Sequence, residues 1–239
     1  LAITAITGEG LADRGIEIGL DLQFSVPGLT LAESTIGPAQ VTLRGVGMGN
    51  VILGGDPGVP IHIDGHYIQD STYILHDFFD VDRVEVLRGP QGTLYGRNAI
   101  GGNVNIITNR PTEEFEASVG IDIGNYEKKM VQAVIGGSLT GGLRGRLALS
   151  DEKRDGYIEN ISSLGKQNLK DSDYTSVRGS LEYDLTEDVL ITVSGYYFDD
   201  FGNTTVNRVV SENPTSMLPG IVNYYELNSA EPNPTVSDP

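Results

Sequence analysis

Apolar and polar residues alternate strictly from residue 115 onward, and this alternation limits the possible folds more than any other feature of the chain. The first alternating stretch has apolar residues at every second position: Ala117, Val119, Ile121 and Ile123. Four more stretches follow the same rule, near residues 131–135, 143–149, 177–185 and 189–197. A period of two residues gives a segment one apolar face and one polar face, which predicts five amphipathic β-strands.

The lengths of the connections distinguish between two β architectures. A soluble β-sandwich alternates in the same way, so the alternation alone leaves both open. The connections at residues 140–142 and 186–188 are tight, whereas residues 160–172 and those after 203 form long connections. Short turns at one end and long loops at the other favour an outer-membrane β-barrel, whose apolar face contacts lipid. The residues expected to face lipid include Ala117, Leu147, Leu181 and Ile191.

Five strands are too few to close a barrel, because small barrels need about eight. An open sheet would leave a strand edge unpaired, so we expect further strands after Pro239. The sequence has no run of about 18 apolar residues, which predicts that no transmembrane helix is present. Transmembrane strands need only about ten residues of alternating hydrophobicity, so this does not argue against a membrane location.

Residues 1–110 follow different rules and predict a mixed α+β region. Residues 8–25 suggest short helices, residues 41–44 and 61–64 read as short strands with a turn at Asp64-Gly65, and residues 71–79 suggest another short helix. Residues 81–109, VDRVEVLRGPQGTLYGRNAIGGNVNIITN, read as strand, glycine-rich loop and strand. A long irregular loop that holds two arginines indicates a binding or docking segment.

Residues 81–109 closely resemble the signature of TonB-dependent outer-membrane receptors. Three shorter motifs precede it in the order found in the plug domain of that family: VPGLTL, VTLRGVG and IHIDGHYI. The resemblance implies a plug domain in residues 1–110, with its N-terminal part missing. It also implies that residues 111–239 are the N-terminal antiparallel transmembrane strands and loops of an up-and-down outer-membrane β-barrel. We therefore expect an internal fragment, with a signal sequence and a TonB-contacting segment upstream.

The same resemblance implies a function. Such receptors lie in the outer membrane of Gram-negative bacteria, in contact with its lipid, and import a scarce small-molecule nutrient, most often an iron-siderophore chelate. TonB, supplied with energy by ExbB and ExbD, would drive the import without any chemistry on the ligand. The alternatives are an outer-membrane structural or adhesin-like barrel without transport activity, and a barrel enzyme with its catalytic cluster elsewhere.

Three arginines are candidates for anchoring the plug to the barrel wall: Arg44, Arg88 and Arg97. In the family, plug arginines in the LRG and LRGP motifs pair with glutamates on the inner barrel wall, which the resemblance carries to Arg44 and Arg88. A guanidinium binds a carboxylate with two parallel hydrogen bonds, and a narrow lumen screens such a pair less than open water does. The ordinary alternative is that these are solvated arginines beside glycine turns.

Two loops are candidates for the ligand-binding face of the plug: residues 47–60 and 64–73. Their glycines permit close backbone approach, and their aromatic and polar side chains suit a polar organic ligand. The candidate ligand-binding residues are Met48, Asn50, Asp56, His66, Tyr67, Gln69 and Tyr73. For any one of them, an ordinary solvated loop residue is the competing interpretation.

Composition removes several other classes of function. The net charge is −17 and no basic patch stands out, which argues against nucleic acid as a partner and disfavours a strongly anionic ligand. The three histidines, His62, His66 and His76, match no standard metal-ligand spacing, and the chain has no cysteine. The loop at residues 96–102 lacks the ending of a phosphate-binding loop. We therefore expect no metal site, no cofactor and no enzymatic activity.

Overall fold

Strands dominate the structure of this chain. The computed structural model describes residues 2–33, 39–47, 56–69, 71, 74, 78–158 and 168–202, all within one compact unit. No helix among these residues is both long and apolar enough to cross a membrane. The predicted helix at residues 71–79 lies mostly outside the described residues.

The N-terminal region, residues 2–110, contains short elements. Its strands are β1 (Ala2–Thr7), β2 (Leu29–Ala32), β3 (Gln40–Leu43), β4 (Val46–Gly47), β5 (Ile61–Ile63), β6 (His66–Ile68), β7 (Val81–Arg88) and β8 (Gly102–Thr108). Its helices are α1 (Gly8–Asp13), α2 (Leu22–Ser25) and α3 (Gly92–Tyr95), with a 3₁₀ helix at Gly19–Asp21. The predicted short helices within residues 8–25 and the strands around 41–44 and 61–64 are confirmed.

Two sheets organise this region. The larger has the order β1-β7-β8-β5-β6, with β5 and β8 parallel and the other neighbours antiparallel. A smaller sheet has the order β2-β3-β4. One face of the larger sheet forms the core, with side chains that are almost wholly buried: Ile6, Ile61, Val84, Val86, Val104 and Ile106. Since these strands are shielded on this face, their β-branched residues supply the hydrophobic driving force.

The predicted turn at Asp64-Gly65 is confirmed as the hairpin between β5 and β6. Both residues have positive φ, 48° and 79°, as the tight hairpin turns that suit Asp-Gly require. The carboxylate of Asp64 accepts hydrogen bonds from the backbone N–H and the hydroxyl of Thr108, at 2.9 and 2.8 Å. The turn is therefore tied to the end of β8.

The strand sheet is formed by β9 (Glu116–Ile123), β10 (Lys129–Thr140), β11 (Leu143–Arg154), β12 (Ser172–Thr186) and β13 (Val189–Asp200). Each pairs antiparallel with its neighbour in chain order. The five predicted strands and the two tight turns are thus confirmed. The predicted domain boundary between residues 110 and 111 falls between β8 and β9, and as an assignment of domains it stays a prediction.

The register places the apolar positions of the strand sheet on one face. Ile135 lies opposite both Ala117 and Leu147, and Leu181 lies opposite Val193. These side chains are exposed, whereas the other face carries Arg146 and Arg178, which contact the N-terminal region. An exposed apolar face opposite a polar inner face is the arrangement of outer-membrane strands, so the predicted fold class is confirmed.

Candidate functional site

The hairpin β5–β6 and the loop around α3 bring together an aromatic and charged cluster. We call it the Tyr67 cluster, and its members are Asp56, His62, Tyr67, Tyr95 and Arg97. The His62 ring lies 5.8 Å from the Tyr67 ring and 5.0 Å from the Tyr95 ring, centroid to centroid, the latter edge-on. An Arg97 Nη2 to Asp56 Oδ2 ion pair at 3.2 Å links the two loops that carry these residues.

His62 is the buried member of the Tyr67 cluster. Its Nδ1 donates a hydrogen bond of 2.7 Å to the side-chain oxygen of Asn103, which fixes the proton of the neutral ring on Nδ1. Burial lowers the pKa of His62, and the hydrogen bond to Asn103 opposes that shift more weakly. His62 is therefore held neutral, and it presents an aromatic face to its neighbours.

Tyr67 is half-exposed and is the member best placed to meet a ligand. Burial raises the pKa of its phenol, and the nearby Asp56 carboxylate raises it further. The phenol therefore keeps its proton and can both donate and accept a hydrogen bond. An aromatic face with such a polar tip suits contact with a polar organic molecule.

The structure brings only some of the predicted ligand-binding residues together. Asp56 and Tyr67 belong to the Tyr67 cluster. His66 lies next to Tyr67 on β6 and Gln69 directly follows β6, and both side chains are exposed. The segment at residues 64–73 is not all loop, because it contains β6. Met48, Asn50 and Tyr73 lie outside the described residues. As ligand contacts, all seven stay predictions.

The three predicted anchoring arginines also have defined surroundings. Arg97 pairs with Asp56 within the N-terminal region, and Arg44 is exposed in a turn with a φ of 53°. The Nε of Arg88 is buried and has no hydrogen-bond partner within the described part of the chain. None of the three forms an ion pair with the strand sheet as far as the structure describes it, so their anchoring role also stays a prediction.

Other charged residues connect the N-terminal region to the strand sheet. Asp80, just before β7, pairs with Arg146 of β11 at 2.6 Å and lies 3.9 Å from Arg178 of β12. Arg110 lies 3.8 Å from Glu182, and Glu33 pairs with Lys170. Three of these four pairs place the acid on the N-terminal region and the base on or beside the strand sheet.

Sequence reasoning missed Tyr95 and the aromatic role of His62. Only His62 had a usable signal, because Tyr95 reaches the His62 ring through the fold of the α3 loop. His62 lies between the buried residues Ile61 and Ile63 of β5, so the period of two places it on the opposite face of the sheet. Its hydrogen-bond partner Asn103 lies on the same face of β8, two positions before Asn105, which is the register partner of His62. Among the described residues, no group of three or more histidine and acidic side chains is arranged to hold a metal ion.

The burial of His62 predicts a pH dependence. The unfolded chain has a histidine pKa of about 6.5. Because the folded pKa is lower, the unfolded state binds more protons below that pH. The stability of the β5–β8 pairing should therefore be complete above pH 6.5 and fall as the pH drops toward the folded pKa of His62. Amide hydrogen exchange of β5 and β8 at a series of pH values, corrected for the intrinsic exchange rate, would measure this loss of stability.

The control for this prediction is the exposed histidine of the same hairpin. A His62→Gln variant should lose most of the acid-induced increase in exchange, whereas His66→Gln should keep it. An increase of the same size in both variants would contradict the assignment to His62.

Comparison with known proteins connects this architecture to one family. Residues 1–103 match the family model described as TonB-dependent Receptor Plug Domain. The chain is similar to the ferripyoverdine receptor of Pseudomonas aeruginosa, 28% identical over 201 residues, which are 83% of this chain and 23% of the receptor. It is also similar to the pesticin receptor of Yersinia pestis, 38% identical over 109 residues, or 45% of this chain and 16% of that one.

Solved structures give the same relationship. The ferric yersiniabactin uptake receptor FyuA from Yersinia pestis superimposes with a TM-score of 0.69 at 27% identity, over 77% of this chain and 29% of that one. The pyoverdine outer-membrane receptor FpvA from Pseudomonas aeruginosa gives 0.65 at 25% identity, over 83% and 27%. The chain spans less than a third of the length of each of these four relatives.

Proposed function

Because this chain belongs to the TonB-dependent receptors, with their plug domain in residues 1–103, we propose that it is part of a transporter that imports a ferric siderophore. Its location is the outer membrane of a Gram-negative bacterium. The ligand would bind from outside, and energy delivered by TonB through a segment of the receptor upstream of these residues would rearrange the plug. ExbB and ExbD would supply TonB with that energy.

One structural observation carries this proposal. A folded, mixed α+β region packs its charged residues against the polar face of a sheet whose other face is apolar and exposed. A soluble protein of this size would bury such an apolar face, whereas in a bilayer lipid covers it. The polar face is thereby free to enclose the N-terminal region, which is the arrangement that a plugged transporter needs.

The names of the relatives support the choice of ligand. Two of them bind or take up iron chelates by name, ferripyoverdine and ferric yersiniabactin. A preformed chelate brings its own iron ligands, so its recognition requires aromatic and hydrogen-bonding side chains instead of a protein metal site. The Tyr67 cluster supplies both kinds of group.

We assign ligand contact on the plug to the neighbourhood of the Tyr67 cluster, with Asp56, His66, Tyr67 and Gln69. Met48, Asn50 and Tyr73, which lie outside the described residues, stay further candidates from the sequence. Arg88 remains the best candidate for an anchor to a barrel glutamate outside the described residues. Its buried Nε is an unused hydrogen-bond donor within the described structure, and such a donor is costly to leave without a partner. Arg44 and Arg97 are exposed, so any anchoring by them requires partners outside the described residues.

Uptake of radioactive iron by cells that produce the full-length receptor tests the transport proposal. The cells should lack other siderophore receptors, and ferric pyoverdine and ferric yersiniabactin serve as probes. We expect saturable uptake of at least one chelate, and we expect it to stop in cells without TonB. Equal uptake with and without the receptor would instead support a structural or adhesin-like barrel, and undiminished uptake without TonB would contradict import driven by TonB.

A triple variant tests ligand contact on the plug. Replacing His66, Tyr67 and Tyr73 together by alanine should weaken equilibrium binding of the transported chelate about thirtyfold, which corresponds to about 2 kcal/mol, because only a minority of contact residues contribute more than about 1 kcal/mol each. Phe24→Ala removes an exposed aromatic side chain outside the predicted loops and should leave affinity unchanged. If the triple variant binds as tightly as the Phe24→Ala variant, recognition belongs to the barrel loops alone.

A further inference from the structure

We propose that Asp80 is the main anchor of the N-terminal region on the strand sheet, and that Arg146 and Arg178 are the residues that hold it. The anchor has its acid on the plug and its bases on the strands, the opposite of the arrangement expected for Arg44 and Arg88. It concerns how the two parts are joined, and it holds whichever ligand the receptor transports.

Arg146 holds the Asp80 carboxylate in a fork. Its Nε lies 3.2 and 3.0 Å from the two carboxylate oxygens, and its Nη2 donates to Oδ1 at 2.6 Å. Its remaining Nη1 donates to Glu116 of β9 at 2.8 Å. The Asp80 and Arg146 side chains are only 3% and 9% exposed, so salt screens their attraction far less than that of a surface pair.

Arg178 holds the backbone of the same turn. Its Nη2 donates to the carbonyl oxygens of Phe79 and Asp80, at 2.6 and 3.1 Å. Asp80 has a φ of 53°, in the left-handed region that aspartate tolerates better than most residues. The hydrogen bonds of Arg178 therefore depend on the shape of the turn, whereas those of Arg146 depend on the charge of the Asp80 carboxylate.

The turn at Asp80 also ties the start of β7 to the end of β8. Its Oδ1 accepts a hydrogen bond of 2.9 Å from the Asn109 side chain, and its carbonyl oxygen accepts one of 3.2 Å from the Asn109 backbone N–H. Asp80 precedes β7, and Asn109 follows β8. One residue thus connects the start of β7 and the end of β8 to two strands of the sheet.

The other ion pairs between the two parts are weaker candidates. The Arg110 side chain is mostly exposed, and its Nε lies 3.8 Å from Glu182, beyond hydrogen-bonding distance. Lys170 pairs with Glu33 at the opposite end of the strand sheet, away from the β7–β8 pair. The Lys170 and Glu33 side chains are 20% and 34% exposed, so water screens that pair more than it screens Asp80 and Arg146. Among the described residues, Asp80 is the acid that combines burial with contacts to two strands.

Removing the charge of Asp80 affects the contacts of its two arginines differently. Arg178 keeps its backbone acceptors only while the turn holds its shape, and Arg146 keeps Glu116 alone. Stranding a buried charge is strongly destabilising, even where the intact pair adds little net stability. The turn, the start of β7 and Asn109 should therefore open together when the acid is lost.

Amide hydrogen exchange on the full-length receptor in detergent tests the anchor, with Asp80→Asn compared to Asp82→Asn. We expect amide exchange of residues 79–88 and 109 to become about a hundredfold faster in Asp80→Asn. That factor corresponds to the lower end of the destabilisation that follows when one partner of a buried ion pair is removed. Asp82 lies two positions away, is 49% exposed and pairs with Arg83, so Asp82→Asn should change exchange by less than about threefold. Similar rates in the two variants would overturn the proposal.

A double-variant cycle tests whether Asp80 acts through Arg146. Arg146→Gln alone should also accelerate exchange, and the double variant should exceed the faster single variant by less than about threefold, because paired residues are not additive. If the acceleration of exchange in the double variant equals the product of the two single-variant accelerations, the pairing of Asp80 with Arg146 is overturned. Should Asp80→Asn fail to fold, Arg146→Lys keeps the charge and loses the fork, so it should accelerate exchange about tenfold. An unchanged rate in Arg146→Lys would overturn the proposal equally.

Discussion

Replacing Val193 by arginine is expected to destabilise the inserted receptor by about 2–4 kcal/mol, the effect of a charge on the lipid face near the bilayer midplane. Val193 lies near the middle of β13, opposite Leu181, and its side chain is 62% exposed on the apolar face. In a soluble protein an exposed position of this kind would tolerate arginine within about 0.5 kcal/mol. The size of the effect therefore reports which solvent covers this face.

Ser194 is the matched control. It follows Val193 in the same strand and is exposed on the opposite, polar face. Ser194→Arg should change stability by much less, because that face does not contact lipid. Urea titration of the full-length receptor folded into lipid vesicles gives both values, and heat-modifiable migration in gels verifies that the barrel has formed. A Val193→Arg effect no larger than that of Ser194→Arg would contradict a lipid-facing apolar surface.

The strand sheet could be predicted from sequence because its signal is local. The alternation around Ala117 and Leu147 depends only on which residues neighbour one another, and the tight turn after Thr140 leaves one possible partner for each strand. The two glycines of that turn adopt positive φ, 46° and 84°, so the hairpin geometry was also encoded locally. The antiparallel register then follows from the strands themselves.

The contacts between the two parts could not be predicted in the same way. Asp80 and Arg146 are 66 positions apart, and the chain offers 33 acidic residues for 16 basic ones, so neither composition nor spacing selects this pair. Family resemblance directed attention to Arg44 and Arg88, which form no ion pair with the strand sheet among the described residues. The Tyr67 cluster was half-predicted, because Tyr67 stood out as an aromatic loop residue whereas Tyr95 reaches His62 only through the fold of the α3 loop.

The plug itself depends on a few wholly buried side chains of the β7–β8 pair. Ile106 of β8 is 1% exposed and packs in the core, while its neighbour Ile107 points to the other face and is partly exposed. The region has only short helices and many loops, so little else compensates for a lost core contact. The stability of the N-terminal region should accordingly be sensitive to Ile106 and far less sensitive to Ile107.

Ile106→Ala is expected to destabilise the N-terminal region by about 2–5 kcal/mol, since it removes a buried side chain and leaves a cavity that the sheet can fill only partly. Ile107→Ala, the matched control, should have less than half that effect. Hydrogen exchange of β7 and β8 in the full-length receptor measures the difference, and strands β9–β13 should keep their protection in both variants. Equal exchange in the two variants would show that this face of the sheet is not the core. Loss of protection in β9–β13 as well would show that the strand sheet cannot remain folded when the N-terminal region opens.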